Sequence, residues 1–211
     1  MNVISHRGAK GLAPENSLES IIVADKLQPA YIEFDVQTTK DDITVLYHNK
    51  YTQSGKQICE YTYPELAKEY PSIIKLAQAL DSIKYSTPLV ELKYVSNPAL
   101  VVSEISGNVA FTSFNQKQII NLKKTWQGEL FLMQRKHPFG IIRKATNNNL
   151  TGVGINKNWL ILLPIIYSLC QKNKLKMYIY TLNNIFLASI LSKLFPEIYI
   201  CTDLPDKLLG Q

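Results

Sequence analysis

The stretch YIEFDVQTTKDDITVLYH, residues 31–48, decides the fold. Its two ends, 31–36 and 44–47, are apolar runs of strand length that are rich in β-branched and aromatic residues. Only the seven residues QTTKDDI separate these runs, whereas a crossover between parallel strands needs about a dozen. Asp41 and Asp42 are also a turn signal. We therefore predict a hairpin in which 44–48 folds back on a strand at 31–37.

The remaining apolar runs are separated by enough residues for a helix in most cases. They lie at 3–4, 89–92, 109–112, 130–133, 152–155, 177–181 and 198–201. Asn16 with Glu19, and Asn115 with Gln118, have capping-box spacing, and Asn184 is a third predicted N-cap. Strands that alternate with helices indicate a parallel sheet. Without the hairpin arm, eight strands predict an α/β fold, a compact TIM (β/α)8 barrel.

The length and one exceptional segment define the domain organisation. The 211 residues suffice for one core, so we predict a single domain over 1–211. Residues 51–85 exceed a minimal strand-helix unit and are rich in polar and aromatic residues. We predict that they form a short insertion after the second strand, over the mouth of the barrel, which ends in a helix near 73–80.

Composition excludes several classes of protein. The net charge of +6 is modest, and no basic stripe with interleaved aromatics is present, so we expect no nucleic-acid partner. Three scattered cysteines argue against a disulfide framework and a Cys-type zinc site. The first residues, MNVISHRG, lack the pattern of a secretory signal, and a cytoplasmic location is expected. The apolar stretch 159–170 is too short to span a bilayer and predicts a buried helix near Pro164, with a lipid-contacting surface as the alternative.

Ionisable side chains collect where the predicted strands end. In a βα barrel the carboxyl ends of the strands carry the active site. Residues two apart on a strand share a face, so the pairs at 33 and 35 and at 91 and 93 each point one way. The hairpin places residue 48 opposite the region of residue 33. The converging side chains are His6, Arg7, Glu33, Asp35, His48, Glu91 and Lys93.

These residue types are the parts of metal-assisted phosphodiester cleavage. Three carboxylates form a hard oxygen-ligand set that suits Mg²⁺ or Ca²⁺. Arg7 and Lys93 can hold phosphate oxygens, and His6 and His48 can serve as general acid and base. A solvated sheet face is the alternative for an isolated carboxylate pair, but a barrel strand is covered on both faces, so inward carboxylates need a partner. His137 lacks a carboxylate context and is assigned to a loop without a role.

The residues at this point resemble the glycerophosphodiester phosphodiesterase family. The matching pieces, in the order of the family, are HRGAKGLAPENS, IEFDVQTTKDDITVLYHN, VELK, IYTLN and ICTDLPD. The resemblance implies a divalent cation, Mg²⁺ or Ca²⁺, on Glu33, Asp35 and Glu91, and an acid-base pair of His6 and His48. It further implies phosphate contacts from Arg7 and Lys93, a supporting role for Glu15, and an aromatic wall at Tyr180 against the glycerol.

The resemblance also implies the reaction, namely hydrolysis of a glycerophosphodiester to glycerol 3-phosphate and an alcohol. In the usual mechanism of the family, the neighbouring glycerol hydroxyl can attack first and give a cyclic phosphate. Asn49 stands where the family usually has Asp, and Tyr180 where it usually has Trp. A weakly active or inactive phosphodiester-binding barrel, and lysophospholipase D-type hydrolysis of lysophospholipids at a membrane, are the alternatives. The leaving alcohol, the choice between Mg²⁺ and Ca²⁺, and the oligomeric state stay open.

Overall fold

The computed structural model describes residues 1–210. The strands are β1 (Asn2–Ser5), β2 (Tyr31–Thr38), β3 (Thr44–Leu46), β4 (Thr87–Leu92), β5 (Ala110–Ser113), β6 (Leu130–Gln134), β7 (Gly152–Asn156), β8 (Lys176–Tyr180) and β9 (Ile198–Thr202). The helices are α1 (Leu18–Lys26), α2 (Tyr63–Glu69), α3 (Leu76–Ser82), α4 (Pro98–Ser103), α5 (Gln116–Leu122), α6 (Pro138–Asn147), α7 (Leu163–Lys172), α8 (Ile185–Leu194) and α9 (Pro205–Leu209).

Within residues 1–210, eight parallel strands close into the predicted (β/α)8 barrel. The order is β1-β2-β4-β5-β6-β7-β8-β9, and β9 pairs back with β1 to close the sheet. The arm β3 pairs antiparallel with β2, with Val36 opposite Leu46 and Thr38 opposite Thr44. The barrel predicted from the eight strand-like runs and the hairpin predicted from residues 31–48 are both confirmed.

Apolar side chains fill the space on both sides of the sheet. The larger core lies between strands and helices, and a smaller cluster fills the barrel interior around Phe131 and Tyr178. Gly154 makes room for this interior cluster, because a Cβ there would lie 2.4 Å from the Tyr178 ring. The Tyr178 hydroxyl is paired with Thr112 Oγ1 at 2.8 Å, so the ring is also fixed by a hydrogen bond.

The predicted helix caps are confirmed at two of three positions. Asn115 Oδ1 accepts from the backbone of Gln118, and Asn184 Oδ1 accepts from that of Leu187 at 2.9 Å. The prediction for Asn16 and Glu19 was wrong. Helix α1 is capped by Ser17, which forms a capping box with Ser20. Asn16 is instead buried in a left-handed turn with φ 55°, and its side-chain amide donates to Asp35 Oδ2 at 3.0 Å.

Residues 51–85 contain a 3-10 turn (Ile58–Glu60), α2 and α3. Helix α3, which covers most of the predicted 73–80 helix, packs against α1 on the outside of the barrel. Ile58, Tyr61 and Leu66 form a small apolar cluster with Val45 of β3. Other residues of this segment line a cleft of about 360 Å³ together with Glu15 and His48. The segment therefore borders the His48 side of the barrel mouth.

The apolar stretch 159–170 forms part of a 3-10 segment (Lys157–Leu162) and most of α7. Pro164 lies in the first turn of α7. Proline is tolerated there because backbone N–H groups in the first turn have no acceptor within the helix. The inner face of α7 is buried through Leu163, Ile166 and Cys170, as predicted. Ile161 is exposed. Across residues 1–210, none of the helices has both the length and the apolar content needed to cross a bilayer.

Candidate active site

Three buried carboxylates meet at the carboxyl ends of β2 and β4. The parallel register places Asp35 directly beside Glu91, and Glu33 lies two residues earlier on the same inward face. Each of these residues offers an oxygen within 4.8 Å of an oxygen of the other two. All three are buried. The carboxylates predicted as a set therefore form one cluster.

Two cations neutralise part of this cluster. Lys93 Nζ lies 2.6 Å from Glu91 Oε1 and 3.3 Å from Asp35 Oδ1. Arg7 Nε lies 3.4 Å from Asp35 Oδ2, and its Nη1 donates to both carboxylate oxygens of Glu15 at 3.0 Å. Glu15 therefore holds the Arg7 guanidinium in place. It supports the site from outside the carboxylate cluster.

The cluster is electrostatically unfavourable as it stands. Burial, followed by repulsion from Asp35 and Glu91, raises the pKa of Glu33 well above its ordinary value. Burial and Asp35 raise the pKa of Glu91 to about 7. Burial opposes ionisation of Asp35 too, but Lys93, His48 and Arg7 keep its pKa below the ordinary value. Among residues 1–210, Glu33 Oε1 has no hydrogen-bond partner. A buried oxygen-rich set whose charge is only partly compensated fits a hard divalent cation.

Because of the raised pKa of Glu91, we expect the stability of the protein to fall as the pH rises when EDTA removes divalent cations. Because the folded pKa of Glu91 lies near 7 and its ordinary value is 4.5, the stabilisation that Glu91 provides while protonated is lost as the pH rises through this range. We expect the free energy of unfolding in EDTA to fall by about 1–3 kcal/mol between about pH 5 and 8. Urea unfolding at a series of pH values measures it. Glu91→Gln should reduce this fall in the free energy of unfolding. Glu197→Gln, at an exposed site, should not reduce it. If the free energy of unfolding depends on pH equally in Glu91→Gln and wild type, Glu91 is not the group responsible.

His6 is held by a carboxylate at the barrel closure. Its Nδ1 lies 2.6 Å from Asp203 Oδ1, and its Nε2 lies 4.0 Å from Glu33 Oε2. The next residues form a left-handed turn, in which Arg7 has φ 52° and Gly8 has φ 76°. A Cβ at Gly8 would lie 2.3 Å from Ser20 Oγ, so glycine is required there. The turn lets the Arg7 backbone N–H donate to Glu33 Oε2 at 2.9 Å.

Asp203 is one of the site residues that sequence reasoning missed. Asn183 fixes it from the end of the neighbouring strand: Asn183 Nδ2 donates to Asp203 Oδ2 at 2.6 Å, and the Asp203 backbone N–H donates to Asn183 Oδ1 at 2.9 Å. Burial works against the charge on Asp203, but hydrogen bonds from His6 and Asn183 lower its pKa to about 2. The available signal was the position of both residues within two of the matching pieces, IYTLN and ICTDLPD, where Asn183 lies three residues after β8 and Asp203 directly after β9.

His48 enters the site from the other side, two residues after β3. Its Nδ1 lies 3.0 Å from Asn49 Oδ1, so an amide stands beside it where the resembled family has a carboxylate. Gln37 Nε2 donates to the backbone oxygens of Tyr47 and Asn49 at 2.9 and 2.7 Å, which fixes the backbone around His48. Burial lowers the pKa of His48 below its ordinary value.

A cavity of about 400 Å³ connects most of the predicted residues. His6 and His48 both line it, together with Arg7, Glu33, Glu91, Lys93 and Tyr180. Tyr180 packs edge-on against Phe114, with ring centroids 5.7 Å apart, and forms an aromatic side of the cavity. Sequence reasoning did not identify Phe114, Arg135, Asn156 and Lys157, which also line it. His137 precedes α6 and lies outside the residues that line this cavity within 1–210.

Comparison with solved structures supports the fold over the whole chain. A glycerophosphodiester phosphodiesterase from Parabacteroides distasonis superposes with a TM-score of 0.85 at 23% identity and covers 99% of this chain and 95% of its own. A phosphodiesterase from Oleispira antarctica, solved in complex with its product sn-glycerol-3-phosphate, gives a TM-score of 0.85 at 23% identity, covering 100% of this chain and 96% of its own. At this identity the likeness establishes the barrel fold.

Sequence comparison concerns the first third of the chain, which contains six of the predicted site residues. Residues 6–70 match the glycerophosphoryl diester phosphodiesterase family. A putative glycerophosphodiester phosphodiesterase of Bacillus subtilis is 39% identical over 72 residues, which are 32% of this chain and 30% of that protein. Human glycerophosphodiester phosphodiesterase 1 is 33% identical over 76 residues, 34% of this chain and 23% of that protein. The matched segments thus span less than a third of these curated relatives. The first third of the chain is therefore similar in sequence to the glycerophosphoryl diester phosphodiesterase family.

Proposed function

We propose that the protein hydrolyses glycerophosphodiesters to glycerol 3-phosphate and an alcohol. The observation that carries the proposal is the meeting of the carboxylate cluster, two cations and two histidines in one cavity. A phosphodiester has one negative charge and needs charge compensation as the new P–O bond forms. The cavity offers that compensation beside two groups that can transfer protons near neutral pH.

Glu33, Asp35 and Glu91 would hold the divalent cation. When bound, Mg²⁺ or Ca²⁺ would neutralise charge on the phosphoryl oxygens and polarise the phosphorus. The same binding would relieve the repulsion that raises the pKa values of Glu33 and Glu91. Arg7 and Lys93 flank the cluster on opposite sides of Asp35 and can each direct an N–H to a phosphate oxygen.

The histidines would divide the proton transfers. One imidazole takes a proton from the attacking hydroxyl or water as the new P–O bond forms. The other gives a proton to the alcohol oxygen as its bond to phosphorus breaks. Asp203 Oδ1 accepts a hydrogen bond from His6 Nδ1. The other ring nitrogen, His6 Nε2, then faces Glu33 and the cavity. Asp203 is therefore a positioning residue that acts through His6.

The test is release of glycerol 3-phosphate from a panel of glycerophosphodiesters with Mg²⁺, Ca²⁺, Mn²⁺ or EDTA. The panel includes a lysophosphatidylcholine, whose hydrolysis is followed by choline release because its other product is lysophosphatidic acid, and this distinguishes lysophospholipid hydrolysis from the proposed reaction. We expect release that depends on the cation from at least one water-soluble diester. Folded protein that releases nothing with any cation would contradict the proposal and favour a phosphodiester-binding barrel.

Asp203→Asn should lower kcat by about 10–100-fold, the range typical of residues that orient a catalytic group. The amide oxygen can still accept from His6, but it no longer stabilises a positive charge on the imidazole. We expect KM to change little and the pH profile of kcat to shift, neither of which a purely structural defect would produce. Asp81→Asn, at an exposed position of α3, is the matched control. If Asp203→Asn lowers the thermal stability along with kcat and leaves the pH profile unchanged, the positioning role is wrong.

A further inference from the structure

A second, larger cavity opens beside the proposed active site and is lined by cations. Its volume is about 660 Å³, and it shares Glu91, Lys93, Phe114, Met133 and Arg135 with the inner cavity. Lys136 and Tyr94 extend it toward solvent. We call it the β5–β6 groove, because the ends of these strands form much of its wall. Its size is in the range of small-molecule sites.

The backbone that carries Arg135 is fixed by two aromatic side chains. The Tyr180 hydroxyl donates to the carbonyl oxygen of Gln134 at 3.1 Å, and Trp159 Nε1 donates to that of Arg135 at 3.1 Å. The guanidinium of Arg135 lies over the Phe114 ring, 5.2 Å from its centroid, and Lys93 Nζ lies 5.6 Å from the same centroid. Arg135 is therefore presented beside the catalytic cluster from an anchored strand end.

The charge around the β5–β6 groove is net positive. Among the described residues 1–210, Arg135, Lys136 and Lys157 form no ion pair, whereas Lys93 is already bound to Glu91 and Asp35. Glu91 is the acidic residue that lines the groove, and Lys93 neutralises it. An ammonium group placed here would meet unpaired cations, whereas an anionic group would meet uncompensated positive charge.

We propose that the β5–β6 groove binds the leaving alcohol and selects alcohols that carry a negative charge of their own, such as a phosphorylated polyol. The inference rests on the proposed function and specifies its substrate class. Of the two arms of the diester, glycerol is uncharged and small, so Arg135 has no charge to recognise on it. A second phosphate on the other arm would receive the planar guanidinium and the ammonium of Lys136.

Two substrates that differ by one phosphate test this directly. We expect kcat/KM for glycerophosphoinositol 4-phosphate to exceed that for glycerophosphoinositol, and that for glycerophosphocholine to be lower than both. Arg135→Gln should lower the ratio of the first two values by about two- to fivefold, the effect of one exposed charge pair. Added salt should also lower this ratio of kcat/KM values in wild type, because it screens the charge of Arg135. Arg143→Gln, at an exposed position of α6, is the matched control and should leave the ratio unchanged.

Each outcome decides a different point. If Arg135→Gln lowers both kcat/KM values equally, Arg135 contacts the scissile phosphate and the inference is wrong. A wild-type preference for glycerophosphocholine also overturns it. If no diester is hydrolysed, the proposed function fails, and calorimetric binding of the two inositol diesters to wild type and Arg135→Gln decides the inference. Tighter binding of the phosphorylated diester that is lost in the variant supports the groove, and equal binding overturns it.

Discussion

His48→Asn should lower kcat for glycerol 3-phosphate release by about 10²–10⁴-fold, and His6→Asn should do the same. Both imidazoles line the cavity that contains the carboxylate cluster, and the proposed reaction needs one proton taken and one given. Neither side chain belongs to an apolar core, so thermal unfolding of both variants should stay close to that of wild type. Initial rates at saturating cation measure the effect.

The third histidine is the matched control. His137 has a left-handed backbone with φ 60°, a conformation that asparagine tolerates, so His137→Asn should fold normally. It lies outside the cavity lining within 1–210 and should keep the wild-type rate. Full activity in His48→Asn or His6→Asn would remove that residue from the acid-base pair.

Glu33→Gln should have opposite effects on turnover and on stability. The substitution removes a proposed cation ligand, so we expect turnover with Mg²⁺ or Ca²⁺ to fall by at least about 10²-fold. It also removes a carboxyl group whose ionisation is opposed by burial and by Asp35 and Glu91. We therefore expect the free energy of unfolding in EDTA to rise by about 0.5–2 kcal/mol, as at other sites where function is kept at the expense of stability.

Two measurements keep these effects apart. Urea unfolding in EDTA reports the repulsion within the cluster, and unfolding with added cation reports binding, because an ion that binds only the folded state raises stability. The cation should stabilise wild type and have little effect on Glu33→Gln. Glu197→Gln removes an exposed carboxylate and should resemble wild type in both. A Glu33→Gln variant that is destabilised in EDTA would show that the carboxylate is structural.

The barrel and the carboxylate cluster could be predicted because both depend on local sequence patterns. Seven residues between two strands exclude a parallel crossover, and this identified β3 as a hairpin arm. Alternation along β2 placed Glu33 and Asp35 on one face, whatever the rest of the fold. Asn16 shows the limit of local reasoning. Its spacing from Glu19 fits a capping box, but its amide donates to Asp35 Oδ2 at 3.0 Å, and that residue is distant in sequence.

The missed residues depend on contacts that only barrel closure produces. Asp203 reaches His6 because β9 pairs with β1, which joins the two ends of the chain. Arg135 faces the site because Trp159 and Tyr180, from later units of the barrel, fix the end of β6. No short-range pattern around either residue encodes these partners. The contacts that bring these two residues to the site therefore became visible only with the register and packing of the strands.

Calorimetric titration of cation-free protein with Mg²⁺ and with Ca²⁺ tests the central claim, that the three carboxylates hold the cation on which hydrolysis depends. We predict one binding site in wild type and none in Glu33→Gln, with half-saturation of binding at the same cation concentration as half-maximal release of glycerol 3-phosphate. Binding that is unchanged in Glu33→Gln, or release of glycerol 3-phosphate that continues in EDTA, would contradict the account.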